Sequence, residues 1–582
     1  MSVILGINAN HADSAACVVI DGELKAAVAE ERLGNRVKHD SSFPKNAIRK
    51  VLSDAKVVAK DVTHLAIARD PRANLAAKII YSSLHPIKSS GAVLEHFRRR
   101  KSEMDVCKRI SDVCGVAEDS FRPIIVNVEH HLAHIASSYY LSPFDSAAGL
   151  TYDGSGDFVS LLAAKCEGNN IRILDKVYLP DSPGFFYTAL CQFIGFDQFG
   201  EEYKVMGLAP YGEDRFRDEM AKLLMLDSSG WFHLAKGFFG MHEGGISGET
   251  DENGYLTMGR FYTDNLIKLL GKPRSRGNEI TQREKDIARS CQVRFEEMSI
   301  HCLSRLWKIT QNENLCMAGG CALNGVANAR ILRDTPFKVP YLQAAASDDG
   351  TCLGAAFWCY HNVVGGNKRY EMKHAFWGPE YSERDIEEAI SNRGLNPTRC
   401  ANEDETIEKV AHLIHEGKVV GWYQGRSEWG PRALGNRSIL ANPAILTMKD
   451  TINKKIKRRE SFRPFAPSVL KESVGDYFEQ DIDSPFMMHV VKLREKWRSR
   501  LPAITHVDGT GRLQTVDKDN NYKYHKLIKK FQDLSGVGVV LNTSFNENEP
   551  VVDTPDQALD CFLRTGMDAL CLKDSILLKD MI

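Results

Sequence analysis

Two separated stretches of this 582-residue chain run through the same order of elements: apolar strand, polar loop, apolar strand, tight turn, third strand. In the first, V3-I-L-G-I7 leads through N8-A-N-H-A-D-S14 to A15-A-C-V-V-I20, and Asp21-Gly22 turns the chain into E23-L-K-A-A-V28. In the second, A147-A-G-L-T-Y152, D153-G-S-G-D157, a strand from Phe158 to Cys166, a turn at Gly168 and I171-R-I-L174 repeat the scheme. Asp-Gly between apolar runs is a strong hairpin signal. Two such units imply an internally duplicated α/β domain with a nucleotide cleft between its halves.

A chain of this length exceeds what one hydrophobic core supports, so further domains are expected. Polar residues and glycines around H361-N-V-V-G-G-N-K-R-Y370 mark the boundary, giving residues 1–366 and 367–582. The second part opens with an acidic helix from Ser382 to Ile390 and continues with strands at Val419–Tyr423, Val537–Leu541 and Ala569–Leu572. Balanced charge (75 basic, 76 acidic residues, net -1) supplies no global field for nucleic acid. No run approaches the roughly 20 apolar residues that span a bilayer, and M-S-V-I-L-G-I-N reads as a first strand rather than a signal peptide. Fourteen cysteines without a C-x-x-C pair read as buried reduced thiols of a cytoplasmic protein. The run H96-F-R-R-R-K101 reads as a solvated helix face.

Chemistry concentrates at three places. His130 and His134 are four apart in a segment whose apolar residues recur at helical spacing, so both imidazoles share a face. With Asp153 at a strand end and one aspartate of Asp348-Asp349, they offer two nitrogens and two oxygens suited to iron(II), zinc or manganese. The alternative is a polar helix face with capping aspartates, and the residues alone leave both open. Next, L315-C-M-A-G-G320 ends a strand at a double glycine and enters a helix, an arrangement that brings backbone N–H groups to phosphate or ribose oxygens. Finally, Arg432, Arg463 and Arg512 sit in glycine- and proline-rich settings, which fits capture of a small phosphate by guanidinium forks. Separate surface ion pairs remain the competing reading. L541-N-T-S-F-N546 adds amide and hydroxyl groups at a strand end, whereas His412 and His415 lack an acidic partner and read as structural.

The motifs HHLAHIASSYY, YDGSGD, GEEYKVMGLAPYG, GGCALNGVANARI, EWGPRALGNRSIL, ESFRPFAPS and LNTSFNENEPVV occur in this order. Over nearly the whole chain they resemble the O-carbamoyltransferases of antibiotic, toxin and nodulation-factor biosynthesis. The resemblance implies an actin/Hsp70-type duplicated N-terminal domain, similar to tRNA threonylcarbamoyl-transfer proteins, joined to a YrdC-like α/β domain. It further implies that the latter cleaves carbamoyl phosphate and adenylates the carbamate with ATP and Mg²⁺. Carbamoyl-adenylate then travels by a protected internal path to the first domain, which carbamoylates a hydroxyl of a small molecule.

By the same resemblance, His130, His134, Asp153 and Asp348 fall on metal ligands, Fe²⁺ or another divalent ion such as Zn²⁺ or Mn²⁺. Gly320 and Asn324 fall on the adenylate loop, Lys38 on an ATP contact, and Arg432, Arg463, Arg512 and Asn542 on the carbamoyl-phosphate pocket. His130 and Asp153 also count among the catalytic residues. The family's H-D-x-S-A loop is altered here to H11-A-D-S-A15, where Asp13 is the expected acceptor-contacting acid and His11 the second candidate. His11 is also one candidate for the base that takes the acceptor's proton. The partners expected are a small hydroxyl acceptor, no nucleic acid and no membrane, with a homodimer allowed. A tRNA-modifying threonylcarbamoyl enzyme and an actin-like nucleotide switch are the alternatives, the latter releasing ADP rather than AMP.

Overall fold

The computed structural model describes residues 1–84, 106–243, 246 and 248–581; the run from His96 to Lys101 lies outside them. The chain divides into Met1–Met372 and Lys373–Ile582, against the expected division after residue 366.

The first unit contains two five-stranded sheets. The first is built from β1 (Val3–Asn8), β2 (Ala15–Ile20), β3 (Glu23–Ala29), β4 (His64–Ile67) and β5 (Ile124–Asn127), in the order β3-β2-β1-β4-β5. The second uses β6 (Ser146–Gly156), β7 (Val159–Glu167) and β8 (Asn170–Tyr178). Two short hairpins follow, β9 (Leu224–Leu226) with β10 (Phe232–Leu234) and β11 (Gly248–Thr250) with β12 (Leu256–Met258). Then β13 (Asn314–Ala318) and β14 (Val339–Leu342) complete the order β14-β13-β6-β7-β8. In both sheets the first three strands are antiparallel neighbours and the remaining pairings are parallel. The duplication is therefore one of topology, with β6 standing where β1 stands in the first sheet.

Local sequence explains the pairing. Strand β1 is buried along its whole length, as a near-continuous apolar run requires when both faces of a sheet are covered. Asp21 and Gly22 both adopt positive φ (47° and 80°), the backbone that a two-residue turn between β2 and β3 demands. One face of the first sheet is covered by the helix Lys45–Asp54, which buries Ala47, Ile48, Val51 and Leu52.

Two helices lie between the sheets: His130–Tyr139 packs on β6, β7 and β13, and Thr351–Asn362 packs on β1, β2 and β4. They meet at Gly354, where a Cβ would stand 1.7 Å from the Ala133 carbonyl oxygen. Gly354→Ala is expected to force the helices apart and cost about 3 kcal/mol of stability, the upper range for overpacking. Denaturant titration checks this, and a loss below about 1 kcal/mol would show that the helix pair adjusts.

The second unit is a nine-stranded mixed sheet. Its strands are β15 (Thr398–Arg399), β16 (Val420–Tyr423), β17 (Arg437–Ala441), β18 (Ala466–Leu470), β19 (His489–Lys492), β20 (Thr510–Val516), β21 (Val539–Ser544), β22 (Ala569–Leu572) and β23 (Ser575–Leu578). They lie in the order β15-β23-β22-β16-β17-β21-β18-β20-β19. Helices Glu403–His415 and Tyr522–Ser535 pack together against it. No helix among the described residues is long and apolar enough to cross a membrane.

Candidate functional site

The duplicated topology places two loops in equivalent positions, β1–β2 with His11 and Asp13, and β6–β7 with Asp153. Helix His130–Tyr139 is started by Glu129, whose carboxylate accepts from the Leu132 N–H at 2.7 Å, and by Asp157, which accepts from the His130 N–H at 3.0 Å. From this fixed start His130 and His134 project together. Their Nε2 atoms are 3.1 Å apart, and His134 Nε2 lies 3.2 Å from Asp153 Oδ2. Both Nε2 atoms are 3.4 Å from Asp348 Oδ1, and His130 Nε2 is 3.7 Å from Asp153 Oδ2. His131 turns away and is a satisfied core residue, Nδ1 at 2.7 Å from Thr151 Oγ1 and Nε2 at 2.9 Å from the Val159 carbonyl.

These four side chains form the one cluster of histidine, cysteine or acidic ligand atoms with metal-holding geometry among the described residues. A cation bonded at about 2.1 Å to each ligand needs ligand–ligand edges of about 3.0–3.4 Å; four of the separations above fall within that range and the His130–Asp153 one, 3.7 Å, lies just beyond it. Two imidazole nitrogens at 3.1 Å beside two carboxylates make a place that favours positive charge, carried by a proton or by a cation. The field says the same. Burial pulls the His130 pKa down, but Asp348 and Asp153 outweigh it and push it up to about 10. The residues present fit a divalent cation.

Around this cluster the other expected residues divide. His11 Nδ1 lies 2.5 Å from Asp348 Oδ2, so His11 belongs to the cluster's rim. Asp13, at positive φ (56°), is committed on both oxygens: Oδ1 is 2.7 Å from His39 Nδ1, and Oδ2 accepts from the Ser347 hydroxyl at 2.5 Å. Lys38 is exposed on the turn before His39. Gly320 faces Asp153: a Cβ there would be 2.9 Å from Asp153 Oδ1. Asn324 caps the helix Gly325–Asp334 by accepting from the Ala327 N–H at 3.1 Å, and it exchanges hydrogen bonds with Gln292. A small cleft opens at the ends of β1 and β4, lined by Asn8, Asn10, Phe43, Arg69 and Arg109 among others.

In the second unit, Glu428 organises the arginine-bearing loop. Its Oε1 accepts from the backbone N–H groups of Leu434, Asn436 and Arg437 at 2.8, 2.8 and 3.1 Å. Arg432 stands on that loop, and the side chain of Arg512 on β20 makes no hydrogen bond or ion pair with any described residue. Burial, then Arg463, lowers the Arg432 pKa to about 10. Burial together with Arg432, Arg463 and Arg459 holds Arg512 well below the usual guanidinium range. The three expected arginines are thus together, with Arg459 as a fourth that sequence reading missed. Asn542 lies beneath them. Its amide donates towards the Ala433 carbonyl (3.0 Å), Ser468 Oγ (3.0 Å) and Gln514 Oε1 (2.9 Å), so it braces the loop. Lys457 is buried and ties Ser544 and Asn546 to the segment before Arg459, with Nζ 2.6 Å from Asn546 Oδ1.

The first unit thus gathers a His/Asp cluster that fits a divalent cation, and the second gathers arginines whose charges crowd one another. A family profile described as Carbamoyltransferase N-terminus matches residues 3–357, and one described as Carbamoyltransferase C-terminus matches 411–579. The chain belongs to the carbamoyltransferase family. It is 38% identical to the uncharacterized protein sll1178 of Synechocystis sp., over 100% of this chain and 97% of the relative. It is 36% identical to the nodulation protein NolNO of Sinorhizobium fredii, over 97% of this chain and 79% of the relative. Nodulation protein U of Bradyrhizobium diazoefficiens is 26% identical over 93% and 92% of the two chains. Among solved structures, HypF of T. kodakarensis aligns at 14% identity over 63% of this chain and 49% of its own, with a TM-score of 0.32.

Proposed function

We propose that the chain is an ATP-dependent O-carbamoyltransferase working in two stages. The second unit cleaves carbamoyl phosphate to carbamate and phosphate, then joins carbamate to the α-phosphate of ATP and releases pyrophosphate. The first unit passes the carbamoyl group from carbamoyl-adenylate to a hydroxyl of a small molecule, releasing AMP and a proton.

The observation that carries this reading is the pairing of Arg432 with Arg512, two half-buried guanidiniums that repel each other and lack a carboxylate. Such a pair is costly until an anion with several oxygens arrives, and then it acts as a preorganised clamp. Glu428 and Asn542 hold the Arg432 loop at its place, which spares reorganisation when charge moves from the carbamoyl–phosphate bond onto the leaving phosphate. Mg²⁺ enters with ATP as part of the substrate.

In the first unit His130, His134, Asp153 and Asp348 would hold a divalent cation, with iron, zinc and manganese all compatible with the donor set. When bound, that cation supplies Lewis-acid stabilisation of oxygen-centred negative charge. Gly320 lies against Asp153, where any side chain would crowd that carboxylate, and the cleft at the ends of β1 and β4 is lined by Asn8 and Asn10 of the segment that carries His11.

Product analysis with labelled ATP tests the scheme. AMP and pyrophosphate are expected in equal amounts and only when carbamoyl phosphate is supplied, with a carbamoylated alcohol found by mass spectrometry from an acceptor panel. ADP and phosphate as the products would overturn it.

A further inference from the structure

The proton released when the acceptor alcohol is carbamoylated needs a receiving group, and the carboxylate that His11 leans on, Asp348, is one of the four cation-holding side chains. A different histidine is better placed. His39 is one-third exposed (32% of its side chain), and its ring is aligned from three sides. Its Nδ1 is 2.7 Å from Asp13 Oδ1, and its own backbone N–H donates to Glu31 Oε2 at 2.9 Å. Phe199 meets the ring edge-on at 5.5 Å. Asp13 is itself fixed by the Ser347 hydroxyl, next in sequence to Asp348. The Asp13–His39 couple is therefore tied through one residue to the segment that carries a cation ligand. His39 Nε2 makes no hydrogen bond to any described residue and borders Gly200, where a Cβ would lie 2.0 Å from it. Gly200 has φ of +81°, so a side chain is disfavoured there twice over.

We propose, resting on the transfer reaction set out above, that His39 is a catalytic residue of the first unit. Asp13 holds its Nδ1, and Nε2 takes the proton of the attacking hydroxyl. As the acceptor oxygen bonds to the carbamoyl carbon, the bond from that carbon to the AMP phosphate oxygen breaks. The hydroxyl proton passes to His39 Nε2, Asp13 steadies the imidazolium, and the proton then leaves to solvent. Carboxylate–imidazole couples work this way because the acid fixes the tautomer and the ring orientation. This role makes Asp13 a positioning residue rather than an acceptor contact.

The charged neighbours set the pH at which the couple operates. Burial lowers the His39 pKa, but Asp13, Glu31 and Glu202 outweigh it and raise it to about 9. The ring must be neutral to accept a proton, so transfer is expected to rise with pH and level off above about 9.

The test offers the full chain ATP and carbamoyl phosphate with glycerol as the added alcohol, and water as the competing acceptor. AMP release is followed from pH 6 to 10, with pyrophosphate exchange into ATP as the control for the second unit. His39→Gln is expected to lower AMP release at least tenfold and flatten its pH rise, with pyrophosphate exchange unchanged. Asp13→Asn is expected to move the rise to lower pH, a shift that a structural role would not produce. Unchanged AMP release and an unchanged pH rise in His39→Gln would overturn the assignment. Should His39→Gln fail to fold, the Asp13→Asn profile decides instead, and an unmoved rise overturns the assignment equally. Absence of pyrophosphate exchange in the parent protein would instead defeat the two-stage reading.

Discussion

His134→Ala is expected to leave the first unit without its divalent cation and to lower carbamoyl transfer by roughly a thousandfold or more, while pyrophosphate exchange continues near the parent rate. His134 is fully buried, and its Nε2 is within 3.4 Å of a ligand atom on each of the other three side chains, so no other residue can replace it. Metal content by elemental analysis and the two partial reactions read the result directly. A thermal melt adds an independent measurement. Chelator should lower the melting temperature of the parent, because a ligand bound only to the folded state stabilises it by mass action. It should leave the variant's melting temperature unmoved. Asp348→Asn, which keeps the side-chain shape, guards against simple misfolding. Loss of both partial reactions in a folded, metal-free variant would contradict the division of labour between the units.

Arg512→Met should abolish pyrophosphate exchange and yet raise the melting temperature. The guanidinium of Arg512 is crowded by burial and by Arg432, Arg463 and Arg459, so an apolar chain of similar length removes repulsion along with function. Relief of about 1 kcal/mol corresponds to a rise of about 2–4 °C for a unit of this size. Inorganic phosphate should stabilise the parent and leave the variant unaffected. A variant that melts lower than the parent would mean that the arginine is held by a partner, and the clamp would have to be placed elsewhere. Activity and stability pulling in opposite directions at one residue is the usual mark of a binding site held ready in advance.

Parts of this architecture are visible in the amino-acid string because they rest on short-range rules. The spacing of His130 and His134 with the apolar Leu132, Ile135 and Ala136 fixes a helix face, and the structure keeps both rings together while turning His131 inward. The recurring strand–loop–strand scheme anticipated the duplicated sheet order, and the glycine and proline settings of Arg432, Arg463 and Arg512 anticipated their meeting. What escaped depends on distant chain segments. His39 reads as the end of a charged turn, R36-V-K-H39, and only folding brings it to Asp13, 26 residues earlier. Arg459 hides in the run K454-K-I-K-R-R459, where solvated charge is the ordinary expectation. Asn542, expected at the phosphate pocket by resemblance, also braces Ala433 and Gln514 through its amide nitrogen, a role no local pattern announces. The parallel pairing of β1 with β4, 60 residues apart in register, likewise leaves no signature in either strand.

The tight contact at Gly354 has a consequence for how such an enzyme diversifies. Asp348 leads into one of the two touching helices and His134 rides on the other, so a cation held by both would act as a rivet between the two five-stranded halves. Any wide gape would pull the rivet apart. A change of substrate would therefore fall on side chains away from the pivot, such as Phe43 and Arg69 at the cleft by β1 and β4, while the pivot stays locked.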